Sequence, residues 1–249
     1  MIKNIKKLKS KSHRTEQKLY IAEGTGTVFE AMENCLSDIE YILFTEKYIK
    51  ELERFNCTEK LVLVSEKVFE SVSETKTPQG IMAVVKMNSK TKDLKECEFV
   101  IYLDGVSDPG NLGTIIRTAD ASGADMVIMS PECVDVYNSK TVRATMGSLF
   151  HICVLNEKTY LSTIDELLDD GFTVFAGCLD AKVIHYDADF KGKTAIVLGN
   201  EAHGVSSELL KKKITKIKIP IPGKAESLNV STAGAVLMYE AVRQREYDE

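Results

Sequence analysis

The chain has 249 residues, of which 44% are hydrophobic, so it can form one large domain or two modest domains with an ample core. No apolar run approaches the roughly 20 residues that span a bilayer, and the first residues lack the apolar segment of a secretory signal, so we expect a cytoplasmic protein with no membrane association. The net charge of -5 excludes a protein coated in positive charge, so any nucleic-acid contact must come from local patches.

The cysteine pattern argues against disulfides and against a metal site. Six cysteines are scattered along the chain, without a C-x-x-C pair and without a histidine at metal-ligand spacing. We therefore expect reduced, mostly buried thiols and no bound metal.

A basic segment opens the chain. It contains seven basic residues against the single acid Glu16, and the seven are Lys3, Lys6, Lys7, Lys9, Lys11, Arg14 and Lys18. Charge alone leaves two alternatives open, a solvated and partly disordered tail or an arm that binds phosphate groups.

Alternating short elements follow and predict a small α/β domain over residues 1–90. Strands are predicted at residues 18–23, 41–44, 61–64 and 80–85, and helices at residues 28–36, 48–55 and 68–72. Residues 88–96 are polar with almost nothing to bury, which indicates a linker.

A second α/β domain is predicted over residues 97–249. Its strands are expected at residues 99–103, 126–129, 172–175, 194–198 and 214–219, with a further short strand at 152–155. Helical patterns occupy residues 112–121, 139–149, 160–170 and 228–243. This alternation predicts a largely parallel sheet covered on both faces, with ligands gathered at the carboxyl ends of its strands.

Residues 104–125, DGVSDPGNLGTIIRTADASGAD, link the first of these strands to a helix. Apolar residues recur from Leu112 to Ala119 at the spacing of one helix face. Asn111 sits at the helix start, where its side chain can cap free backbone N–H groups, and Arg117 lies inside the helix, off the apolar face. A strand, a tight loop and a helix N-terminus predict a ligand site.

Two later loops have the same character. Residues 199–204 follow the strand at 194–198, and residues 220–229 follow the strand that ends at Ile219. Both combine small residues, which let backbone approach a ligand, with Asn, Ser and Glu side chains that can orient one. Each loop alone fits an ordinary turn with a helix cap, but three in one domain indicate a binding site.

In order and spacing, these three segments resemble the motifs of the SpoU/TrmH family of RNA ribose 2′-O-methyltransferases, members of the SPOUT superfamily. The first motif is matched by Asn111, Gly113 and Arg117, and the second by Leu198, Gly199, Glu201 and Gly204. The third is matched by Ile219, Pro220, Gly223, Ser227, Leu228, Asn229, Val230 and Ser231. The stretch from Arg143 to Gly147 is similar to a further family segment.

The resemblance implies a fold and partners that the residues alone do not. It implies a C-terminal SPOUT-type parallel-sheet domain with a trefoil knot, preceded by a small α/β substrate-binding domain. It also implies S-adenosyl-L-methionine as cofactor, RNA as substrate and a homodimer as the assembly.

Site roles follow from the same resemblance. The residues expected at the reaction are Arg117, Asn111, Glu201, Asn229 and Ser227. Those expected to hold the cofactor are Gly199, Ile219, Leu228, Leu198, Asn200 and Gly204. The family's arginine is often described as a general base supplied across a dimer interface. A guanidinium, which stays protonated in proteins, is better suited to stabilising a developing alkoxide or clamping a phosphate.

We therefore predict an enzyme that transfers a methyl group from S-adenosyl-L-methionine to a ribose 2′-hydroxyl of structured RNA, ribosomal RNA before transfer RNA. The alternative is a catalytically silent RNA-binding or nucleotide-binding module of the same fold. A Rossmann oxidoreductase is a more distant alternative, because the glycine fingerprint does not follow any strand.

Overall fold

The computed structural model describes residues 1–55, 57–87 and 92–247, which fall into two compact units. One unit comprises Met1–Ser89 with Asp135–His151, and the other comprises Lys90–Val134 with Ile152–Glu249. The predicted domains cover residues 1–90 and 97–249, so Asp135–His151 was assigned to the second domain, whereas in the structure this segment belongs to the first unit. Within the described ranges, no helix is long and apolar enough to cross a membrane.

The first unit is a small sheet with helices packed against it. Its first nine elements are α1 (Ile2–Lys7), α2 (Lys11–Gln17), β1 (Leu19–Glu23), α3 (Thr25–Asn34), β2 (Ile39–Phe44), α4 (Ile49–Leu52), β3 (Leu61–Leu63), α5 (Glu66–Val72) and β4 (Ile81–Lys86). The strand order is β1-β4-β2-β3, with β4 antiparallel to β1 and β2, and with β3 parallel to β2. The predicted α/β unit is therefore confirmed.

The interpretation of the basic segment as a solvated tail is wrong. Its residues form α1 and α2, and Ile5 and Leu8 are buried, at 2% and 4% exposure, in the apolar cluster of the first unit. Ile2, Ile5 and Leu8 stand three residues apart, which places them along one side of a helix. The predicted linker at 88–96 begins outside the described residues, and Leu94–Glu96 forms a short 3-10 turn.

The second unit is built on a parallel sheet. The remaining elements of the chain are β5 (Phe99–Asp104), α6 (Pro109–Ala121), β6 (Met126–Met129), α7 (Ser139–Ala144), β7 (Cys153–Asn156), α8 (Ser162–Asp169), β8 (Thr173–Gly177), β9 (Val183–Ile184), β10 (Thr194–Gly199), β11 (Thr215–Lys218) and α9 (Val230–Glu246). The strand order is β7-β6-β5-β10-β8-β11-β9, and every neighbouring pair is parallel. The predicted parallel sheet is confirmed.

The helix predicted at 139–149 is shorter than expected. It ends as α7 at Ala144, within the segment that belongs to the first unit. Met146 and Gly147 adopt φ angles of 51° and 104°, and this left-handed backbone terminates a helix.

The sheet of the second unit positions the loops of interest. In the parallel pairing of β5 with β10, Leu103 lies opposite Leu198 and Asp104 lies opposite Gly199. The loops that follow these two strands therefore leave the sheet side by side at its carboxyl edge. Four of the six cysteines are buried and the other two are partly buried, in agreement with the prediction of mostly buried thiols.

Candidate active site

The loop after β5 leads into α6 through an aspartate cap. The Asp108 carboxylate accepts a hydrogen bond of 2.9 Å from the backbone N–H of Asn111, and Pro109 opens the helix. Asp followed by Pro is a common helix start, because the carboxylate satisfies a free N–H and proline lacks one. The expectation that Asn111 caps the helix is therefore wrong, and its side chain is left for other contacts.

Glu201, in the loop after β10, ties that loop to the start of α6. Its Oε1 accepts hydrogen bonds from the backbone N–H of Asp108 at 3.0 Å and from Nδ2 of Asn111 at 2.9 Å. Its Oε2 accepts from the backbone N–H and from Oγ of Ser107, at 3.1 and 2.8 Å. One carboxylate therefore gathers four donors from residues 107–111.

This arrangement keeps Glu201 ionised. Partial burial alone would raise the pKa of Glu201, but the hydrogen bonds from Asn111, Ser107 and Asp108 outweigh burial and lower it to about 2. The carboxylate is therefore charged throughout the physiological range, and the loop after β10 is held to α6 by charge-assisted hydrogen bonds.

Asn229 brings the third motif to the same network. Its Nδ2 donates to Oδ1 of Asn111 at 3.0 Å, while its own Oδ1 accepts from the backbone N–H of Ser231 at 2.9 Å and so caps α9. Asn111 thus bridges Glu201 and Asn229. These three residues, from three motifs far apart in sequence, form one connected group in the structure.

The loop at residues 199–204 is a closed turn with no room for side chains at its base. The backbone N–H of Asn200 donates to the carbonyl of Gly204, and the reverse bond forms as well, at 3.0 and 2.9 Å. A Cβ on Gly199 would lie 2.2 Å from the carbonyl carbon of Gly204, so only glycine fits there. The Asn200 side chain donates to the Gly105 carbonyl at 2.7 Å, which joins this loop to the one after β5.

The loop at residues 220–228 is open. Among the described residues, no hydrogen bond uses the backbone of residues 221–228, and Ser227 is exposed without a side-chain partner. Leu228 is 37% exposed, and Ile219 is partly buried at the exit of β11. Leu198 differs from these, since its side chain is buried beside Gly234 of α9.

Arg117 lies apart from this network. It is an exposed residue of α6, and its guanidinium forms no hydrogen bond or ion pair with any residue that the structure describes. Six residues separate it from Asn111, so the two side chains leave the helix about 120° apart. Glu201 holds the loop at residues 107–108 and the Asn111 side chain, and it does not contact Arg117.

A second group, missed from the sequence, anchors the loop after β10 to the end of β5. Buried Asp104 accepts hydrogen bonds from the Tyr160 hydroxyl and from the backbone N–H of Ser206, both at 2.7 Å. Burial and this bond to Asp104 raise the pKa of Tyr160, so its hydroxyl stays protonated as a donor. Asp104 directly follows the apolar strand predicted at residues 99–103, and a carboxylate at that position was the available signal.

The structure therefore brings together Asn111, Glu201 and Asn229, with Gly199, Asn200 and Gly204 in the adjoining turn. In the described part of the chain, no cluster of three or more His, Cys, Asp or Glu side chains could hold a metal ion. The arrangement offers a glycine turn, a free backbone loop and an unpaired guanidinium, which suit an organic ligand and an anionic partner.

Comparison with known protein families divides the chain in two. Residues 98–239 match the SpoU rRNA methylase family, and residues 1–83 match the MRM3-like substrate binding domain. Both matches agree with the resemblance drawn from the three motifs.

Individual relatives cover nearly the whole chain. The 23S rRNA (guanosine(2553)-2′-O)-methyltransferase RlmP of Bacillus subtilis (strain 168) is 38% identical over 240 residues, which are 96% of this chain and 94% of that protein. An AdoMet-bound rRNA methyltransferase from Sinorhizobium meliloti superposes with a TM-score of 0.85 at 32% identity, covering 97% of this chain and 94% of that one. The SpoU methyltransferase AviRb from Streptomyces viridochromogenes, in complex with AdoMet, superposes with a TM-score of 0.86 at 26% identity and coverages of 98% and 97%.

Proposed function

Because the chain belongs to the SpoU rRNA methylase family, we propose that it methylates a guanosine ribose of 23S ribosomal RNA. The chain is an S-adenosyl-L-methionine-dependent RNA ribose 2′-O-methyltransferase. The single observation that carries the choice of RNA is the 38% identity to a 23S rRNA enzyme over 96% of the chain, which includes the substrate-binding part. Transfer RNA, the second expectation, has no support of that extent.

The residues present suit the cofactor. The turn at Gly199 is closed by the backbone of Gly204 and Val205, which packs where a side chain would lie, so backbone rather than side chains forms this part of the site. The backbone groups of residues 221–228 form no hydrogen bond with the described part of the chain. Leu228 and Ile219 offer apolar surface for a purine, and the backbone groups offer donors and acceptors for its ring nitrogens. We therefore assign Gly199, Asn200, Gly204, Ile219 and Leu228 to cofactor binding, with Leu198 contributing backbone only.

When bound, S-adenosyl-L-methionine supplies a methyl group that its sulfonium has already activated. What remains for the chain is to hold the ribose hydroxyl in line and to help it lose its proton. The bridge of Asn111 between Glu201 and Asn229 supports a positioning role for these three residues, because it fixes the relative placement of all three motif loops. Ser227, exposed two residues before Asn229, is assigned to donate a hydrogen bond to the substrate or the cofactor.

Arg117 is assigned to the charge that develops on the ribose oxygen or to a neighbouring phosphate. Two observations support its action on a second copy of the chain: its guanidinium has no partner among the described residues, and its side chain leaves α6 about 120° away from Asn111. We therefore propose a homodimer in which each chain supplies Arg117 to the cofactor site of the other. We also propose that the second unit contains the trefoil knot of the family. The protein is proposed to act in the cytoplasm, where ribosomal RNA resides.

Loss of Arg117 tests the catalytic assignment. We expect Arg117→Ala to lower methyl transfer to a 23S rRNA transcript by about 100-fold or more, as removal of one transition-state donor does, with unchanged cofactor affinity by calorimetry. Arg243→Ala removes another exposed guanidinium of the same unit and should leave turnover unchanged. Unchanged turnover in Arg117→Ala would refute the role of Arg117. If the wild-type chain neither transfers methyl groups nor binds the cofactor, it is the catalytically silent binding module that was the alternative prediction.

Mixing two inactive chains tests where Arg117 acts. Arg117→Ala and Gly199→Ala are co-expressed with different tags, and dimers carrying both tags are purified. Such a dimer has one site with an intact cofactor turn and an Arg117 from the other chain, so it should regain about half of the wild-type activity. If Gly199→Ala does not fold, Leu228→Asp on the exposed loop replaces it. Inactive mixed dimers would place Arg117 in the site of its own chain.

A further inference from the structure

Five lysines of the basic segment have no partner among the described residues. They are exposed, and none of their ammonium groups forms a hydrogen bond or an ion pair with the described part of the chain. We call them the basic face, and its members are Lys3, Lys6, Lys7, Lys11 and Lys18. The single acid of the segment, Glu16, lies 3.5 Å from His13 rather than beside a lysine.

The basic face stands on an ordered support. Ile5 of α1 and Leu8, which directly follows α1, pack in a buried cluster with Leu43, Phe69 and Met82. The apolar side of α1 is therefore used inside the protein, which leaves no apolar surface of α1 for insertion into a membrane. Lysines held in this way lose less freedom on binding than lysines on a flexible tail.

Arg14 fixes the two helices to each other. It is 5% exposed, and its Nη1 donates to the carbonyls of Leu8 and Lys9, both at 2.8 Å, where α1 ends. Its Nη2 donates to the Asp135 carboxylate at 2.5 Å. A buried ion pair of this kind is costly to desolvate and serves to fix geometry.

The charge of the rest of the chain makes this face distinctive. Residues 1–18 carry a formal charge of +6, from seven basic residues and one acid, so the other residues must carry -11 to give the total of -5. A polyanion is repelled by the field of most of this protein and attracted by this segment. A partner with closely spaced phosphates suits five ammonium groups that are not paired with acidic side chains.

We propose that the basic face binds the phosphate backbone of the RNA substrate. Lysine ammonium groups act as point charges, so these contacts hold and orient the RNA without reading its sequence. The proposal rests on the proposed function, because it takes RNA to be the substrate. It adds to that function a surface, on the unit that does not carry the motif residues, that supplies affinity rather than chemistry.

The salt dependence of RNA affinity tests the proposal. Filter binding of a 23S rRNA transcript is measured over a range of salt concentrations for the wild type and for a triple variant, Lys3→Ala, Lys6→Ala and Lys7→Ala. Each lost phosphate contact lowers the magnitude of the slope of log K against log salt by about 0.7–0.9. For three lost contacts, we expect the slope to become shallower by about 2–3 and the affinity at 0.1 M salt to fall on the order of 100-fold. A polyuridine oligonucleotide should show the same loss, because phosphate contacts are independent of sequence.

A matched variant removes three charges elsewhere. Lys191→Ala, Lys211→Ala and Lys213→Ala change exposed lysines of the other unit, and Lys211 and Lys213 belong to a second lysine-rich stretch. Its slope should equal that of the wild type. The proposal would be overturned if the basic-face variant and the control variant had the same slope of log K against log salt. It would also be overturned if the basic-face variant lost binding to anionic phosphatidylserine vesicles but kept its binding to RNA.

Turnover separates this proposal from the proposed function. At saturating RNA, the basic-face variant should methylate at the wild-type rate, and its thermal unfolding should be unchanged because the three side chains are exposed. If the wild-type protein transfers no methyl group, the proposed function is refuted. If the wild type is active and the basic-face variant has the same slope of log K against log salt, only the proposal that the basic face binds phosphates is refuted.

Discussion

Replacing Glu201 with glutamine removes the charge that holds the loop after β10 to α6. The carboxylate accepts four hydrogen bonds, and an amide in its place presents an NH₂ group toward donors such as the Ser107 N–H. A pKa lowered from 4.5 to about 2 corresponds to roughly 3 kcal/mol at full strength. Because Glu201 is an exposed residue, solvent screening reduces this, and we expect Glu201→Gln to lower the free energy of unfolding by about 1–2 kcal/mol.

The pH dependence gives the sign of the effect. The folded-state pKa lies below that of the unfolded chain, so the contribution is fully present above about pH 5 and is lost as the pH falls toward 2. Urea unfolding of the wild type and Glu201→Gln should therefore differ most near pH 7 and converge near pH 2–3. The control Glu208→Gln, an exposed glutamate whose side chain bonds to no described residue, should show no gap at any pH. A constant gap between wild type and Glu201→Gln down to about pH 3 would refute the charge argument.

Three further substitutions test the turn, the anchor and the support of α1. Gly199→Ala places a Cβ 2.2 Å from the backbone of Gly204, so calorimetry should show cofactor affinity reduced by about tenfold or more, and wild-type affinity would contradict the close packing. Tyr160→Phe removes the hydroxyl that donates to Asp104, so urea unfolding should show a free energy of unfolding lower by about 1.5–3 kcal/mol. A change below about 0.5 kcal/mol would contradict the anchoring role of this hydrogen bond. Arg14→Ala leaves a carboxylate and two carbonyls without their donor, so urea unfolding should show a loss of about 3–5 kcal/mol. Hydrogen exchange should also be faster at the amides of α1. A loss below about 1 kcal/mol would show that the ion pair of Arg14 with Asp135 does not hold α1.

The sequence was most informative where a pattern is local. The apolar face of α6 from Leu112 to Ala119 and the strand that ends at Asp104 were predicted because helix period and buried strands are visible within a dozen residues. α1 was missed because its two turns are too short for a periodic signal and lysines surround its apolar positions. Tertiary packing of Ile5 and Leu8, not propensity, keeps it helical.

The connections within the site were beyond local patterns. The bonds of Asn111 to Glu201 and Asn229 span 90 and 118 residues, and nothing near any of the three residues indicates its partner. The motifs indicated that the three belong to one site, but not which side chains would contact one another. The Asp-Pro pair at the start of α6 signalled that Asp108, not Asn111, caps the helix, which leaves the Asn111 side chain for the network.

The chemical identity of the methylated nucleoside shows whether the enzyme methylates a guanosine ribose or a base. Purified protein is incubated with 23S rRNA transcript and S-adenosyl-L-methionine carrying a tritiated methyl group, and the RNA is then digested to nucleosides and separated by chromatography. We expect a label that migrates as 2′-O-methylguanosine with the wild type, and at least about 100-fold less of it with Arg117→Ala. A label in a base-methylated nucleoside, or no label with a wild type that binds the cofactor, would contradict it.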